Sequence, residues 1–202
     1  DVRAFDPDVV ICTHFLPARL ISIMLARRQL RATLTVVTTD YDFQGLWLTS
    51  PFHHFFAARD ESAAYLSSIG IPSDRVSACG IPVRPGLGDP VDREAALKRF
   101  GLRPDLPVVL ISAGAAGGAY TTQIVAQTLR MTSPFQAVVV CGRNTELKAA
   151  IEAQVAAKAD SYKVLGYTNE MADLMRISSL FVGKPGGLSS SECMAVGLPM
   201  VI

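Results

Sequence analysis

Short apolar runs rich in β-branched residues alternate along this chain with longer windows whose apolar positions recur every three to four residues. That alternation of periods two and 3.6 predicts strands and helices in turn, the pattern of a parallel α/β sheet. Strands are expected at residues 9–13, 34–38, 55–58, 76–78, 108–112, 137–141, 163–165 and 180–182. Helices are expected at 18–30, where Leu20, Ile21, Met24 and Leu25 share a face, and at 62–69, closed by Gly70. Further helices are expected near 92–100, 120–129, 145–157 and 170–176, with a last one opening after a glycine turn and running through 193–196. From 80 to 107 the texture changes, because Pro82, Pro85, Pro90, Pro104 and Pro107 interrupt any regular element. The expected organisation is therefore two Rossmann-like units, 1–86 and 107–202, joined by a linker at 87–106 that holds one helix. Both units read as incomplete. The chain opens at Asp1 just before a strand and stops at Ile202 inside the apolar run 198–202, so it is expected to be a piece of a longer protein.

Composition narrows the function classes. Half of the 202 residues are hydrophobic and mean hydropathy is +0.30, which supports a substantial core. A formal net charge of +1 offers no global attraction for nucleic acid. The four cysteines are widely spaced and form no CxxC pair, so they read as buried free thiols of a reducing compartment and not as a metal site. No apolar run reaches the roughly 18 residues of a membrane span, and the N-terminus lacks the pattern of a signal peptide, which leaves only a peripheral membrane role.

The most specific chemistry sits at 184–192, Lys-Pro-Gly-Gly-Leu-Ser-Ser-Ser-Glu, between an apolar strand and a helical stretch. The first turn of a helix presents unpaired amides and partial positive charge, and so can hold a diphosphate. Gly186 and Gly187 would let a ligand approach the backbone, and serine hydroxyls would cap the helix or donate to an anion. Glu192, a turn further on, suits two vicinal hydroxyls such as those of a ribose. The same residues also read as a tight turn followed by an ordinary capping box. Three other polar or glycine-rich segments, 112–118, 141–144 and 165–171, follow strands in the second unit, where open sheets bind ligands. The first of them has neither a Walker lysine nor a strict GxGxxG, and a small-residue turn is its plainer reading. In the first unit His14, Asp40 and Asp42 follow strands. His53 and His54 lie in an apolar stretch and read as structural. The aromatic segment 47–56, with Trp47, Phe52, Phe55 and Phe56, reads either as core or as a contact for a lipid or membrane interface.

Taken together, TVVTTDYDFQGLW, GIPVRPGL, VLISAGAAGG, VVVCGRN, VLGYTNEMADLM and KPGGLSSSECMAVGLPMVI resemble the GT-B glycosyltransferases of the monogalactosyldiacylglycerol synthase and processive diacylglycerol glucosyltransferase group, relatives of MurG. The resemblance implies two Rossmann-like domains facing a cleft, the second holding a UDP-sugar. It places Gly114, Gly117 and Gly118 near the diphosphate, Arg84 on the phosphates, and Arg143 and Asn144 at the nucleotide sugar. Tyr167 and Met171 border the uracil, Gly186, Gly187, Leu188, Ser189 and Ser190 hold the diphosphate, and Glu192 takes the ribose. It further implies a general base removing the acceptor proton, for which His14 and Asp40 are the candidates in this chain, the family's principal histidine loop falling outside it. The UDP-sugar is then a substrate, with no separate cofactor and no metal, and the acceptor a lipid such as diacylglycerol at the cytoplasmic face of a membrane. Alternatives are a MurG-like enzyme with a polyprenyl-linked acceptor, a UDP-sugar epimerase, or a nucleotide-binding module without turnover. Two departures from the family pattern stand out: Ala113 and Ala115 in an otherwise fuller glycine run, and Ser178 or Ser179 at a usual aspartate.

Overall fold

Strand formation follows the β-branched runs closely, and the chain divides after Pro82 into two units, 1–82 and 83–202. The computed structural model describes residues 1–114, 118 and 120–202. In the first unit α1 (Val2–Phe5), β1 (Val9–Cys12), α2 (Phe15–Ala26), β2 (Thr33–Val37), β3 (His54–Ala57), α3 (Asp60–Ser68) and β4 (Val76–Ala78) follow in order, with 3-10 turns at Gly45–Trp47 and Ser73–Arg75. All four strands are parallel in the order β1-β2-β3-β4. Leu34, Val36, Phe55 and Ala57 are wholly buried and pack on Ala18, Ile21 and Leu66 of the two longer helices.

Helix α2 begins three residues before its expected start. His14 Nδ1 accepts from the Leu16 amide at 3.2 Å, and Pro17 falls in the first turn, where its missing N–H breaks no helical bond. His53 is structural as expected: its Nδ1 accepts from the Leu34 amide at 2.8 Å. Within the aromatic segment 47–56, Trp47 and Phe55 are buried and Phe52 and Phe56 half-buried. Trp47 is 1% exposed and donates to Asp40 at 2.8 Å, and Phe52 stacks on the buried Phe55 with centroids 4.5 Å apart. A membrane contact through Trp47 is thus ruled out by its packing. Cys12, Cys141 and Cys193 are buried, whereas Cys79, expected inside, is exposed because it follows edge strand β4.

The second unit contains α4 (Arg93–Arg99), β5 (Val108–Ser112), α5 (Thr121–Thr128), β6 (Gln136–Val140), α6 (Thr145–Val155) with a 3-10 extension at Ala156–Ser161, β7 (Tyr162–Leu165), α7 (Met171–Ile177), β8 (Leu180–Gly183), α8 (Gly187–Val196) and β9 (Met200–Val201). Its parallel strand order is β7-β6-β5-β8-β9. Side chains alternate across the sheet and feed two cores. Leu110, Val138, Val140 and Phe181 face α4, α7 and α8, while Ile111, Ala137 and Val139 face α5 and α6. The expected linker 87–106 belongs to this unit: Leu87, Ala96, Leu97 and Leu102 are buried, the last three in the same core as Leu110. Buried Gln136 fixes the approach to β5, its amide donating to the Arg103 carbonyl at 2.6 Å and accepting from the Arg103 amide at 2.8 Å. The chain leaves central β5 toward β6 on one side and returns to it through β8 on the other, which puts the topological switch point at the C-terminal ends of β5 and β8.

Candidate nucleotide site of the second unit

Three strand ends shape one cavity. Past Ser112, Gly114 takes φ +68°, and past Val140, Gly142 takes φ +61°, left-handed turns that fold the chain back from the sheet edge. With Arg143, Asn144, Tyr167 and Met171 these residues line a cavity of about 460 Å³ whose walls are mostly apolar. The Arg143 guanidinium lies over the Tyr167 ring, 5.1 Å from its centroid, so charge and aromatic face are paired at the rim. Asn144 caps α6, its Oδ1 accepting from the Leu147 amide at 2.8 Å. A flat heterocycle with polar edges fits such a cavity: apolar walls and one aromatic face, with few polar groups to fix its orientation.

The second group gathers at α8. Gly186 is the N-cap, in extended conformation and without a side-chain hydrogen bond, so the expected serine cap and capping box do not form. Ser190 Oγ instead donates back to the Gly186 carbonyl at 2.8 Å and Ser191 Oγ to the Gly187 carbonyl at 2.6 Å. The first-turn amides, at Gly187, Leu188 and Ser189, have no helical partners, as at any helix start, and the helix dipole adds to their pull on an anion. A Cβ on Gly186 would meet nothing within 4 Å, so the approach is open. Glu192 follows on α8, where burial pushes its carboxyl above the usual range and the Arg84 cation pulls it partway back. Arg84 also donates to the Asn169 carbonyl at 3.4 Å, tying its loop to the segment that carries Tyr167.

Of the residues expected at a nucleotide sugar, Gly114, Arg143, Asn144, Tyr167 and Met171 line the cavity. Arg84, Gly186, Gly187, Leu188, Ser189, Ser190 and Glu192 cluster at the α8 start. Gly118 has a packing reason of its own, since an added Cβ would lie 2.9 Å from Ala113 and 2.1 Å from Thr121 Oγ1. Gly117 lies outside the described residues. His14 and Asp40 belong to the first unit, and the side chains of both already serve local bonds. Ser112, Gly142 and Thr168, from the three expected strand-end segments, also line the cavity. Gly183 was missed: its hypothetical Cβ would sit 2.9 Å from the Phe181 ring and 3.1 Å from the Ser112 carbonyl, and its signal was position, as the last residue of a strand.

Comparison with known proteins gives this geometry a family. The family model of monogalactosyldiacylglycerol (MGDG) synthase matches residues 1–83, and that of the glycosyltransferase family 28 C-terminal domain matches residues 108–202. A processive diacylglycerol beta-glucosyltransferase of Staphylococcus haemolyticus is 33% identical over 196 residues, covering 96% of this chain and 49% of that protein. The chain thus spans about half the length of the curated relatives it matches. Among solved structures, a glycosyltransferase from Rickettsia africae ESF-5 superposes with TM-score 0.61 at 14% identity, over 98% of this chain and 58% of that one. UDP-GlcNAc 2-epimerase from Neisseria meningitidis, bound to UDP-GlcNAc, does so with TM-score 0.64 at 16% identity, over 98% and 58%. Those two likenesses establish the two-sheet GT-B type fold and nothing about chemistry, since transferase and epimerase share it. Two successive family models and a relative 33% identical over 196 residues show that this chain belongs to the monogalactosyldiacylglycerol synthase and processive diacylglycerol glucosyltransferase group of glycosyltransferases.

Proposed function

We propose that this chain binds a UDP-sugar through its second unit and belongs to an enzyme that transfers the hexose to diacylglycerol or a similar lipid hydroxyl. The observation that carries the reading is the adjacency, at the strand ends of one sheet, of an apolar cavity with an aromatic face and a glycine-opened helix start next to Glu192 and Arg84. The uracil occupies the cavity, the diphosphate meets the α8 amides and Arg84, and Glu192 accepts from the ribose hydroxyls. In transfer the acceptor oxygen bonds to the anomeric carbon, the bond from that carbon to the diphosphate oxygen breaks, and UDP departs with the bond's electron pair. The amides of α8 and the Arg84 guanidinium stabilise that departing charge. The acceptor proton goes to a general base. On the first unit His14 keeps Nε2 for such a role, because only Nδ1 is used by the helix cap, and Asp40 orders the neighbouring turn through Trp47.

Calorimetric titration with UDP tests the donor half. Wild-type chain should bind, and Glu192→Ala should weaken binding by about 1–3 kcal/mol, the cost of removing hydrogen bonds to a charged group. A folded wild-type chain without affinity for UDP, or a variant that binds equally well, overturns the reading. Release of free UDP, as opposed to an epimerised sugar nucleotide, separates transfer from the epimerase chemistry of the same fold.

The same proposal includes a peripheral seat on an anionic bilayer. Among the described residues no helix is long and apolar enough to cross a membrane. Residues 9–39 hold Arg19, Arg27, Arg28 and Arg31 but no Asp or Glu, and on α2 Leu16, Leu20 and Ile23 are exposed. Apolar side chains beside unbalanced arginines suit a surface of anionic headgroups over acyl chains. The chain should cosediment with phosphatidylglycerol vesicles and be released by about 0.5 M salt, where screening is short-ranged. Equal sedimentation with neutral phosphatidylcholine vesicles would count against this seat.

A further inference from the structure

Arg176, in the last turn of α7, makes contacts that an ordinary surface arginine does not need. Its side chain is 17% exposed. Nε donates to the Leu87 carbonyl at 2.8 Å, Nη2 donates to the Gly86 carbonyl, and Nη1 donates to Asp173 Oδ1 at 3.1 Å. A planar fork of five donors is the side chain that can span two successive carbonyls and a carboxylate at once, and charge-assisted bonds of this kind are about twice as strong as neutral ones. Asp173 is itself fixed, since it also accepts from Arg99 at 2.6 Å, and Arg99 pairs with Glu170 at 3.2 Å.

The two carbonyls that Arg176 grips belong to the turn that carries Arg84. The Leu87 amide donates to the Arg84 carbonyl at 3.2 Å, Gly86 takes φ +76°, and Leu87 is buried. On the other side, a Cβ on Gly88 would come within 3.4 Å of the Ala195 carbonyl of α8. The turn is therefore held between α7 and α8, and Arg84 leaves it toward Asn169 and Glu192. Among the described residues, the grip comes from Arg176 and not from the candidate nucleotide site.

We propose that Arg176 is a positioning residue for the nucleotide site: by holding the Gly86 and Leu87 carbonyls it aims the Arg84 guanidinium at the space between the Tyr167 segment and the start of α8. Arg176 touches no ligand itself. The inference rests on the reading that the second unit binds UDP, and it separates Arg176 from a merely stabilising ion pair, whose loss would leave the direction of Arg84 unchanged.

The test uses Arg176→Lys and Arg176→Gln, each alone and combined with Arg84→Ala. Lysine keeps the charge but offers one nitrogen where arginine spreads three over a planar fork, so it cannot reproduce all three contacts in their places, and glutamine keeps one amide nitrogen without charge, so at least one folded variant is expected. UDP titration should show each Arg176 variant roughly fivefold to tenfold weaker than wild type, and no further loss when either is added to Arg84→Ala. Losses that multiply in the double variants, or Arg176 variants that bind like wild type, overturn the proposal. A second readout needs no nucleotide: in carbon-13 carboxylate NMR, the Glu192 titration midpoint should move upward in Arg176→Lys as in Arg84→Ala, because the first turns the Arg84 cation away from the carboxylate and the second removes it. If wild type fails to bind UDP, the functional reading falls. The Glu192 midpoint still decides for Arg176, an unmoved midpoint overturning the positioning role and an upward move supporting it.

Discussion

Phe181→Ala should destabilise the second unit by about 3–5 kcal/mol, the usual cost of emptying a large aromatic site in a core. The ring is 2% exposed and packs with Leu110, Leu174 and Leu198, where strand β8 meets three other elements. It also supports the site directly: its Cε1 and Cζ atoms lie 2.9 Å from where a Cβ of Gly183 would be, so the ring forms the floor under the last residue of β8. The turn into α8 begins at the next residue. Urea unfolding measures the effect by two probes. The only tryptophan, Trp47, is buried in the first unit, so its fluorescence should keep the wild-type midpoint. Far-UV circular dichroism should show the second unit's transition at lower urea with an unchanged slope, because a lower midpoint at constant slope means lost stability and not a changed surface on unfolding. A loss under 1 kcal/mol would mean that the site collapses around the missing ring, and that β8 does not depend on it.

How legible all this was depended on how local the determining physics is. Strands such as β5 and β6 were visible because Val-Val-Leu-Ile and Ala-Val-Val-Val state their burial residue by residue. Element starts were harder. His14 caps α2 through a ring nitrogen, a rarer choice than Ser or Asp, so the helix was expected only after Pro17. The three serines after Gly187 read as caps, yet each backward bond of Ser190 and Ser191 depends on the helix already existing around them. Proline density marked 87–106 as a linker, but Ala96, Leu97 and Leu102 needed only the α4 face to join the core. For the site, residue types and strand-end positions were enough to gather Gly114, Arg143, Asn144, Tyr167 and Met171. The grip of Arg176 on a turn 89 and 90 residues away was not, because a long-range bond to a backbone carbonyl leaves no trace in residue type.

A comparison of Gly118→Ala with Gly114→Ala separates backbone freedom from close packing in the loop after β5. Both glycines are left-handed, at φ +49° and φ +68°, and an alanine there costs about 1–2 kcal/mol from conformation alone. For Gly114 that is the whole effect expected, since nothing lies within 4 Å of an added Cβ. At Gly118 the methyl would meet the Cα and Cβ of Ala113 at 2.9 Å, as well as the Thr121 hydroxyl. The hydroxyl can rotate away, but Ala113 cannot, because it is buried and its amide donates to the Val140 carbonyl at 3.0 Å between β5 and β6. Overpacking against fixed backbone adds about 1–3 kcal/mol, so Gly118→Ala should lose about 2–5 kcal/mol in all. The displaced atoms lie next to Gly114 and Ser112 of the cavity wall, so UDP binding should fall more than tenfold at temperatures where the variant is still folded. Gly114→Ala should stay within about threefold of wild type if the loop only needs to turn there. A larger loss at Gly114 than at Gly118 would mean that a ligand atom comes close to the Gly114 backbone, and that its missing side chain serves binding more than folding.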